Sequence, residues 1–223
     1  MIKVLKRTLL TLSLVLFVTP SYSDMSDFNG FYVSIGAGVA GAELDGKYTD
    51  NDSNVTKAKG GGVAQAAIIE VGYNYAVDTY AFGLGVHYIP GEVTLGKSDT
   101  EQSAEDLTVE GNDFYTVYAQ VSVAVSEETA VYLKAGQSSI DLSYTSTASN
   151  ITGTKPGDLD GSTIAIGSMS SIGNGMFIKS EAGWTEYDTL KLTDINTNSG
   201  SDTGDIEADP TAVYGMISVG MTF

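Results

Sequence analysis

Large apolar residues alternate one by one with small or polar residues in eight separate segments of the chain. In the clearest segment, 80–89, Tyr80, Phe82, Leu84, Val86 and Tyr88 alternate with Ala81, Gly83, Gly85 and His87. A period of two places the two sets on opposite faces of a β-strand. The pattern predicts an all-β chain with strands at 31–39, 64–75, 80–89, 114–125, 131–142, 162–170, 176–187 and 213–223. The sixth strand is the least regular, because Ser168 interrupts the face begun by Ile164 and Ile166, which leaves its register open by one residue.

The connections between these strands alternate in length. Strands two and three, four and five, and six and seven are joined by about four or five residues, whereas the other connections contain about 19 to 25. Short turns therefore lie at one end and long loops at the other, with strand lengths close to the roughly 9 to 11 residues of a tilted transmembrane strand. The chain is predicted to form an eight-stranded antiparallel up-and-down transmembrane β-barrel in a bacterial outer membrane. Both termini would be periplasmic and the long loops external.

Side-chain size and charge predict which face of each strand meets lipid. The face opposite the large apolar residues carries glycines together with Glu70, Lys134, Lys179 and Glu181. A lysine facing lipid near mid-membrane would cost about 2 to 4 kcal/mol, so this face is predicted to line the interior. Aromatic residues of the apolar face lie near the strand ends, which is typical of the two aromatic girdles at the membrane interfaces. They are Phe31, Tyr73, Tyr75, Tyr80 and Phe223 at the turn side, and Tyr88, Tyr115 and Trp184 at the loop side. The alternative is a soluble secreted barrel with a ligand cavity, which would turn its apolar face inward.

The first 23 residues have the pattern of a cleaved signal peptide. Lys3, Lys6 and Arg7 precede an apolar run over 9–18, and small residues stand at the last and third-last positions before the predicted cleavage after Ser23. The apolar run is about half as long as a membrane-spanning helix requires. The predicted domains are therefore a signal peptide at 1–23 and an outer-membrane barrel at 24–223.

The composition excludes several function classes. With 11 basic and 28 acidic residues the formal net charge is -17, which argues against a nucleic-acid partner. Because the chain has no cysteine, it has no disulfide, no thiolate metal site and no cysteine nucleophile. Its single histidine argues against a metal site built from several histidines. No cofactor and no resident metal are predicted.

The two ends of the predicted barrel resemble a known family. Gly30–Ser34 forms a Gly-Phe-Tyr-Val-Ser opening, and the last strand ends at Phe223 with Tyr214 nine positions before it. Together with the signal peptide, these features resemble the small eight-stranded outer-membrane barrels of Gram-negative bacteria, the opacity-protein and OmpX-like group. The resemblance implies that the barrel-assembly machinery reads Val213–Phe223 as an insertion signal. The residues that would carry this signal are Tyr214, Ile217, Val219, Met221 and Phe223.

Members of that group serve as adhesins, surface antigens, envelope stabilisers or, rarely, lipid-modifying enzymes, so the fold leaves function open. The interior residues Glu70, Gln120, Lys134, Lys179 and Glu181 are predicted to form a structural plug of ion pairs and hydrogen bonds, since side chains fill an eight-stranded lumen. The alternative is a narrow proton or ion path.

His87 is predicted to be a hydrogen-bonded histidine of the lumen. The alternative, the histidine of an outer-membrane lipid A-modifying hydrolase, would require a serine held against it. Tyr88 and Ile89 follow His87, so the His-x-Ser spacing of the deacylase-like members is absent.

Acidic residues are concentrated in two of the long loops. Residues 89–113 contain seven acids and one lysine, and 187–211 contain six acids and one lysine. Asp202, Asp205, Glu207 and Asp209 are candidate ligands for Ca²⁺ or Mg²⁺, and the alternative is a solvated, repulsive surface. The predicted function is non-enzymatic: an envelope-structural and surface-interaction role, with outer-membrane lipid around the barrel and host or environmental ligands at the loops.

Overall fold

The structure is a computed structural model that describes residues 24–50, 53–91, 93–98, 107–146, 157–196 and 203–223. A 3-10 helix, η1, spans Ser26–Phe28. Ten strands follow: β1 Gly30–Asp50, β2 Val55–Val77, β3 Tyr80–Ile89, β4 Val93–Ser98, β5 Leu107–Ala124, β6 Thr129–Ser146, β7 Asp158–Gly173, β8 Met176–Tyr187, β9 Leu190–Asn196 and β10 Thr203–Thr222. The predicted signal peptide lies outside the described residues and stays a prediction.

Eight of these strands form a closed antiparallel barrel, which confirms the predicted fold class. Neighbouring strands pair in the order β1, β2, β3, β5, β6, β7, β8, β10, and β1 pairs with β10 to close the ring. The backbone N–H of Phe223 donates to the carbonyl of Phe31 at 2.7 Å, so pairing continues to the last residue. β4 pairs only with β5, and β9 pairs only with β10, within the described part of the chain.

The predicted short turns are confirmed at one end of the barrel. The β7–β8 turn is formed by Asn174 and Gly175, with φ of 55° and 74°. Positive φ at both central residues is the type I′ geometry that an Asn-Gly pair favours, and its twist matches that of the flanking strands. The uncertain register of β7 is also fixed: Ile164 pairs with Trp184 and Ile166 with Ala182 on the outer face.

The predicted long connections are partly wrong, because several of them are strand. β1 continues to Asp50 and β2 begins at Val55, so most of 40–63 forms an antiparallel ladder rather than a loop, and over the same stretch β1 also pairs with β10. β4 and β9 also lie inside predicted loops. Apolar and polar residues alternate along a strand only where its two faces meet different surroundings. Beyond the membrane neither face of the ladder meets lipid, so the alternation of large apolar residues fades there, although the backbone hydrogen bonds continue.

The outer wall of the barrel is apolar. Phe31, Ile35, Leu84 and Ile217 are each more than 60% exposed, as expected for side chains on a lipid-facing surface. Phe31 and Tyr73 pack edge to face at the turn side, with ring centroids 4.8 Å apart. Among the described residues, no helix is both long enough and apolar enough to cross a membrane.

The interior is filled in layers. At the turn end, Met25 and Phe28 of the N-terminal segment are fully buried against inward residues of the strand ends, among them Tyr132, Met169 and Phe177. A polar layer follows at mid-height. Nearer the loop end, a second apolar layer contains Ile68, Ile89 and Met216, with Phe114 and Tyr214 packed against it, and a third contains Ile140, Leu142 and Leu159.

The N-terminal segment is held in the mouth of the barrel by hydrogen bonds. The backbone N–H of Met25 donates to the carbonyl of Asp78 at 3.0 Å, and the N–H of Ala76 donates to Asn29 Oδ1 at 2.9 Å. Ser171 Oγ donates to Asp27 Oδ2 at 2.9 Å. Residues 24–29 therefore close the turn end of the lumen, which the sequence reasoning did not predict.

Candidate functional site

Four charged side chains meet in the middle of the lumen. Glu70 projects from β2, Lys134 from β6, and Lys179 and Glu181 from β8, where their spacing of two puts both on the inner face. Lys179 Nζ lies 2.7 Å from Glu70 Oε1, and Lys134 Nζ lies 2.6 Å from Glu181 Oε2 and 3.4 Å from Glu70 Oε1. All four side chains are at most 1% exposed. The cluster has no net formal charge, so each buried charge has a partner of opposite sign.

Four tyrosines complete this cluster, and the sequence reasoning did not identify them. Tyr32 and Tyr118 both donate from their hydroxyls to Glu70 Oε1. Tyr132 donates to Glu181 Oε2 at 2.7 Å, and Tyr214 donates to Glu181 Oε1 at 2.8 Å. Lys134 Nζ also lies 4.1 Å from the centre of the Tyr118 ring, a cation–π distance.

Each of these tyrosines lies across a glycine of the neighbouring strand. The pairs in register are Tyr32 with Gly72, Tyr118 with Gly85, Tyr132 with Gly167 and Tyr214 with Gly183. A Cβ added at Gly72 would stand 2.7 Å from Tyr32 Oη, so the ring occupies the space that a side chain would need. An aromatic ring lying over a cross-strand glycine is a known device in β-barrels. Inward tyrosines opposite inward glycines were therefore a usable sequence signal.

The predicted Gln120 is in the lumen but outside the ion-pair cluster. Its Nε2 donates to Ser122 Oγ at 2.9 Å, two residues along the same strand. A separate row of hydroxyls follows the barrel wall across four strands, with contacts from Thr116 to Ser138, from Ser138 to Thr163 and from Thr163 to Thr185. The polar layer thus consists of an ionic centre and a hydroxyl row.

His87 is buried at 1% exposure on the inner face of β3, as predicted from its position in the alternation. Its ring meets Phe114 and Tyr214 edge to face, with centroids 6.0 and 5.8 Å away. Among the described protein atoms, His87 Nε2 has no hydrogen-bond partner. The aromatic surroundings differ from those of a hydrolase histidine, which is held between a serine and an acid.

Two of the described acidic residues of 187–211, Glu207 and Asp209, contact neighbouring side chains. Glu207 of β10 lies 2.7 Å from Lys47 Nζ and 3.3 Å from Lys191 Nζ, and Asp209 accepts from Thr189 Oγ1 at 2.8 Å. No group of three metal-ligating side chains occurs within the ranges that the structure describes. Asp202 lies outside those ranges, as do Glu92, Asp99, Glu101, Glu105 and Asp106. Cation binding at 202–209 therefore stays a prediction.

The two lysines hold the pKa of Glu207 below its ordinary value through hydrogen bonds and charge attraction. Glu207 lies on the ladder beyond the apolar band, where its titration is accessible to carboxyl NMR. We expect its titration midpoint to fall below the ordinary glutamate value of about 4.3. Because the folded-state pKa is lowered, the stabilising contribution is complete above that ordinary value and is lost as the pH falls through the lowered pKa. A Lys47→Met, Lys191→Met variant should return the midpoint to normal, and an unchanged midpoint would contradict the assignment.

The last strand divides its predicted signal residues between the two faces. Tyr214 points inward to Glu181, whereas Ile217, Val219, Met221 and Phe223 are exposed on the outer wall. Phe223 is 74% exposed at the turn side.

Comparisons with known proteins agree with the architecture. No protein-family model and no curated protein matches the chain. The outer membrane protein OprG from Pseudomonas aeruginosa has a similar structure, with 14% identity over 87% of this chain and 97% of that one, and a TM-score of 0.54. AlkL is 13% identical over 92% of this chain and 94% of that one, with a TM-score of 0.49. Neisserial surface protein A is 13% identical over 87% of this chain and 98% of that one, with a TM-score of 0.46. At these identities the similarity shows the fold alone. The chain has the fold of small outer-membrane β-barrels.

Proposed function

We propose that this chain is a non-enzymatic outer-membrane protein with a closed lumen, which stabilises the envelope and interacts with its surroundings through the sheet beyond the membrane. The observation that carries the proposal is the filled interior. The N-terminal segment, the ionic cluster and the apolar layers follow one another along the axis. Such a filled interior provides a rigid wall but no water-filled path, as expected for eight strands.

The closed lumen predicts the electrical behaviour of the protein. We expect planar-bilayer recordings of the refolded barrel to show no steady conductance, because an ion would have to pass the buried cluster of Glu70, Lys134, Lys179 and Glu181. A wide general porin in the same bilayer serves as the positive control. Reproducible steps of one conductance value would contradict the plug and support the alternative ion path.

The proposed orientation places the long ladder of β1, β2, β9 and β10 outside the cell and both termini in the periplasm. Because the chain has no cysteine, single cysteines can report on each end. We expect Lys59→Cys, on the ladder, to react with a membrane-impermeant maleimide on intact cells. Asn174→Cys, in the β7–β8 turn, should react only after the outer membrane is permeabilised. Both residues are exposed, so the reverse result would mean that the orientation is wrong.

The ladder has the properties of an interaction surface. It extends the barrel as paired strands whose outer face carries exposed ion pairs, including Lys59 with Asp45 at 3.1 Å and Lys47 with Glu207 at 2.7 Å. Exposed ion pairs of this kind contribute little to stability, so they leave the charges available to ligands. Host or environmental ligands and divalent cations are the proposed partners.

The terminal strand is proposed to be the segment that the barrel-assembly machinery recognises. The outward row of Ile217, Val219, Met221 and Phe223, ending at the last residue of the chain, supports this proposal. Within the part of the chain that the structure describes, no geometry supports the alternative of a lipid A-modifying hydrolase, because the His87 ring packs edge to face against Phe114 and Tyr214. The alternative of a soluble barrel would leave the apolar outer wall in water.

A further inference from the structure

Three buried polar side chains lie next to one another on the lumen wall of β1, β2 and β3. Glu70 of β2 stands directly opposite Ser34 of β1 on one side and directly opposite His87 of β3 on the other. Each of the three residues is at most 2% exposed. We call these three residues the Glu70 row. Side chains directly opposite each other in an antiparallel pair are close enough to share a ligand.

Every member of the Glu70 row has a polar atom without a hydrogen-bond partner among the residues that the structure describes. These atoms are Ser34 Oγ, Glu70 Oε2 and His87 Nε2. The hydroxyl row, which continues around the wall from β5 to β8, differs in that each of its hydroxyls contacts the next. An unpaired polar atom is costly in a buried place. Three of them on adjacent strands therefore indicate a shared polar ligand.

The Glu70 carboxylate is bonded through one oxygen only. Its Oε1 accepts from the hydroxyls of Tyr32 and Tyr118. The same oxygen lies 2.7 Å from Lys179 Nζ and 3.4 Å from Lys134 Nζ. A carboxylate offers about four lone-pair sites on its two oxygens, so Oε2 needs a donor of its own. The described side chains do not supply that donor.

The lumen wall has no tyrosine ring over it beside Ser34. Gly36 is the next inward residue of β1, and the three atoms nearest to a Cβ added there all belong to the neighbouring strand β10. At Gly72 and Gly85, in contrast, atoms of a tyrosine side chain are among the nearest three. The short side chain of Ser34 and the absence of one at Gly36 set the wall back at this place, which leaves room for a small polar molecule.

We propose that the Glu70 row binds one occluded water molecule, which donates to Glu70 Oε2 and joins it to His87 Nε2 and Ser34 Oγ. Water suits these partners because it both donates and accepts, whereas a carboxylate only accepts and a serine hydroxyl does either. Buried water molecules typically form about three such bonds to groups that are otherwise unpaired. The apolar layers on both sides of the polar layer enclose the site, so the water is a fixed part of the closed lumen.

The test uses the single histidine of the chain as its reporter. Histidine labelling of an otherwise deuterated, untagged protein in lipid nanodiscs gives one imidazole in the NMR spectrum. We expect an NOE from water to the His87 protons Hδ2 and Hε1, which flank Nε2 and do not exchange with water. Its intensity should grow from zero mixing time without a lag. The labelled methyl group of Met216, in the apolar layer, is the internal control and should show no NOE from water.

Three variants exclude a signal relayed by a neighbouring hydroxyl. Ser34→Ala, Thr116→Val and Tyr214→Phe each remove one hydroxyl beside the row, and the NOE at His87 should persist in every variant that heat-dependent gel migration shows to be folded. If a variant does not fold, the growth of the NOE in the unaltered protein still decides. No NOE at His87, a lag in its growth, or its loss in a folded variant would overturn the proposal. An NOE at Met216 as well would mean that water fills the lumen, which would overturn both the occluded site and the closed lumen.

Discussion

Replacing Lys134 by methionine is expected to lower the free energy of unfolding by about 3 to 5 kcal/mol, the cost of breaking a buried ion pair by removing one partner. Lys134 Nζ bridges Glu181 Oε2 at 2.6 Å and Glu70 Oε1 at 3.4 Å. Without it, two buried carboxylates share the single ammonium of Lys179. Methionine keeps most of the side-chain volume, so the loss reports charge rather than a cavity. Urea unfolding of the barrel in lipid vesicles measures the change.

Two variants control this experiment. The double variant Lys134→Met, Glu181→Gln restores a neutral lumen, and the new amide oxygen can still accept from one of Tyr132 and Tyr214, so most of the lost stability should return. Lys191→Met removes an exposed lysine, and its effect should remain within about 0.5 kcal/mol. If Lys134→Met costs no more than Lys191→Met, the cluster does not hold the barrel together. If the double variant is as unstable as the single one, the charge imbalance is not the cause.

The faces of the barrel could be predicted from the sequence because lipid favours large apolar side chains, whereas the lumen accommodates small and polar ones. The inward position of Glu70, Lys134, Lys179 and Glu181 follows from the high cost of a charge in lipid. Strands β3 and β8 have the bounds that alternation predicts. Where a strand has lipid on one side and packed side chains on the other, a period of two is sufficient to identify it.

The remaining features depend on contacts between distant parts of the chain. Alternation places Tyr118 and Gly85 on the inner face, but only the register between β3 and β5 puts the tyrosine ring over the glycine. The closure of the turn end by Met25 and Phe28 joins residues before β1 to the ends of β6, β7 and β8, which no local pattern encodes. The ladder of β1 and β2 was missed because neither of its faces meets lipid.

The pairing of tyrosine with glycine leads to the second large effect. We expect Gly85→Ala to lower the free energy of unfolding by about 1 to 3 kcal/mol, the usual cost of overpacking a filled interior. The added Cβ would stand 2.6 Å from Tyr118 Cζ and 2.7 Å from the backbone carbonyl oxygen of Val71. The ring cannot move away without leaving Glu70, to which its hydroxyl is bonded. Urea unfolding in vesicles measures the loss of stability, and heat-dependent gel migration shows whether the variant still closes.

Gly215→Ala provides a matched control on the same type of backbone. Gly215 lies on the outer face of β10, and no atom lies within 4 Å of the Cβ that alanine would add. Its stability should be unchanged or higher by up to about 1 kcal/mol, since alanine restricts the unfolded chain. Equal losses in both variants would mean that glycine is required by the strands themselves rather than by the tyrosines. A loss confined to Gly85→Ala would show that the interior beside Gly85, where the Tyr118 ring and the Val71 carbonyl lie, has no room for a side chain.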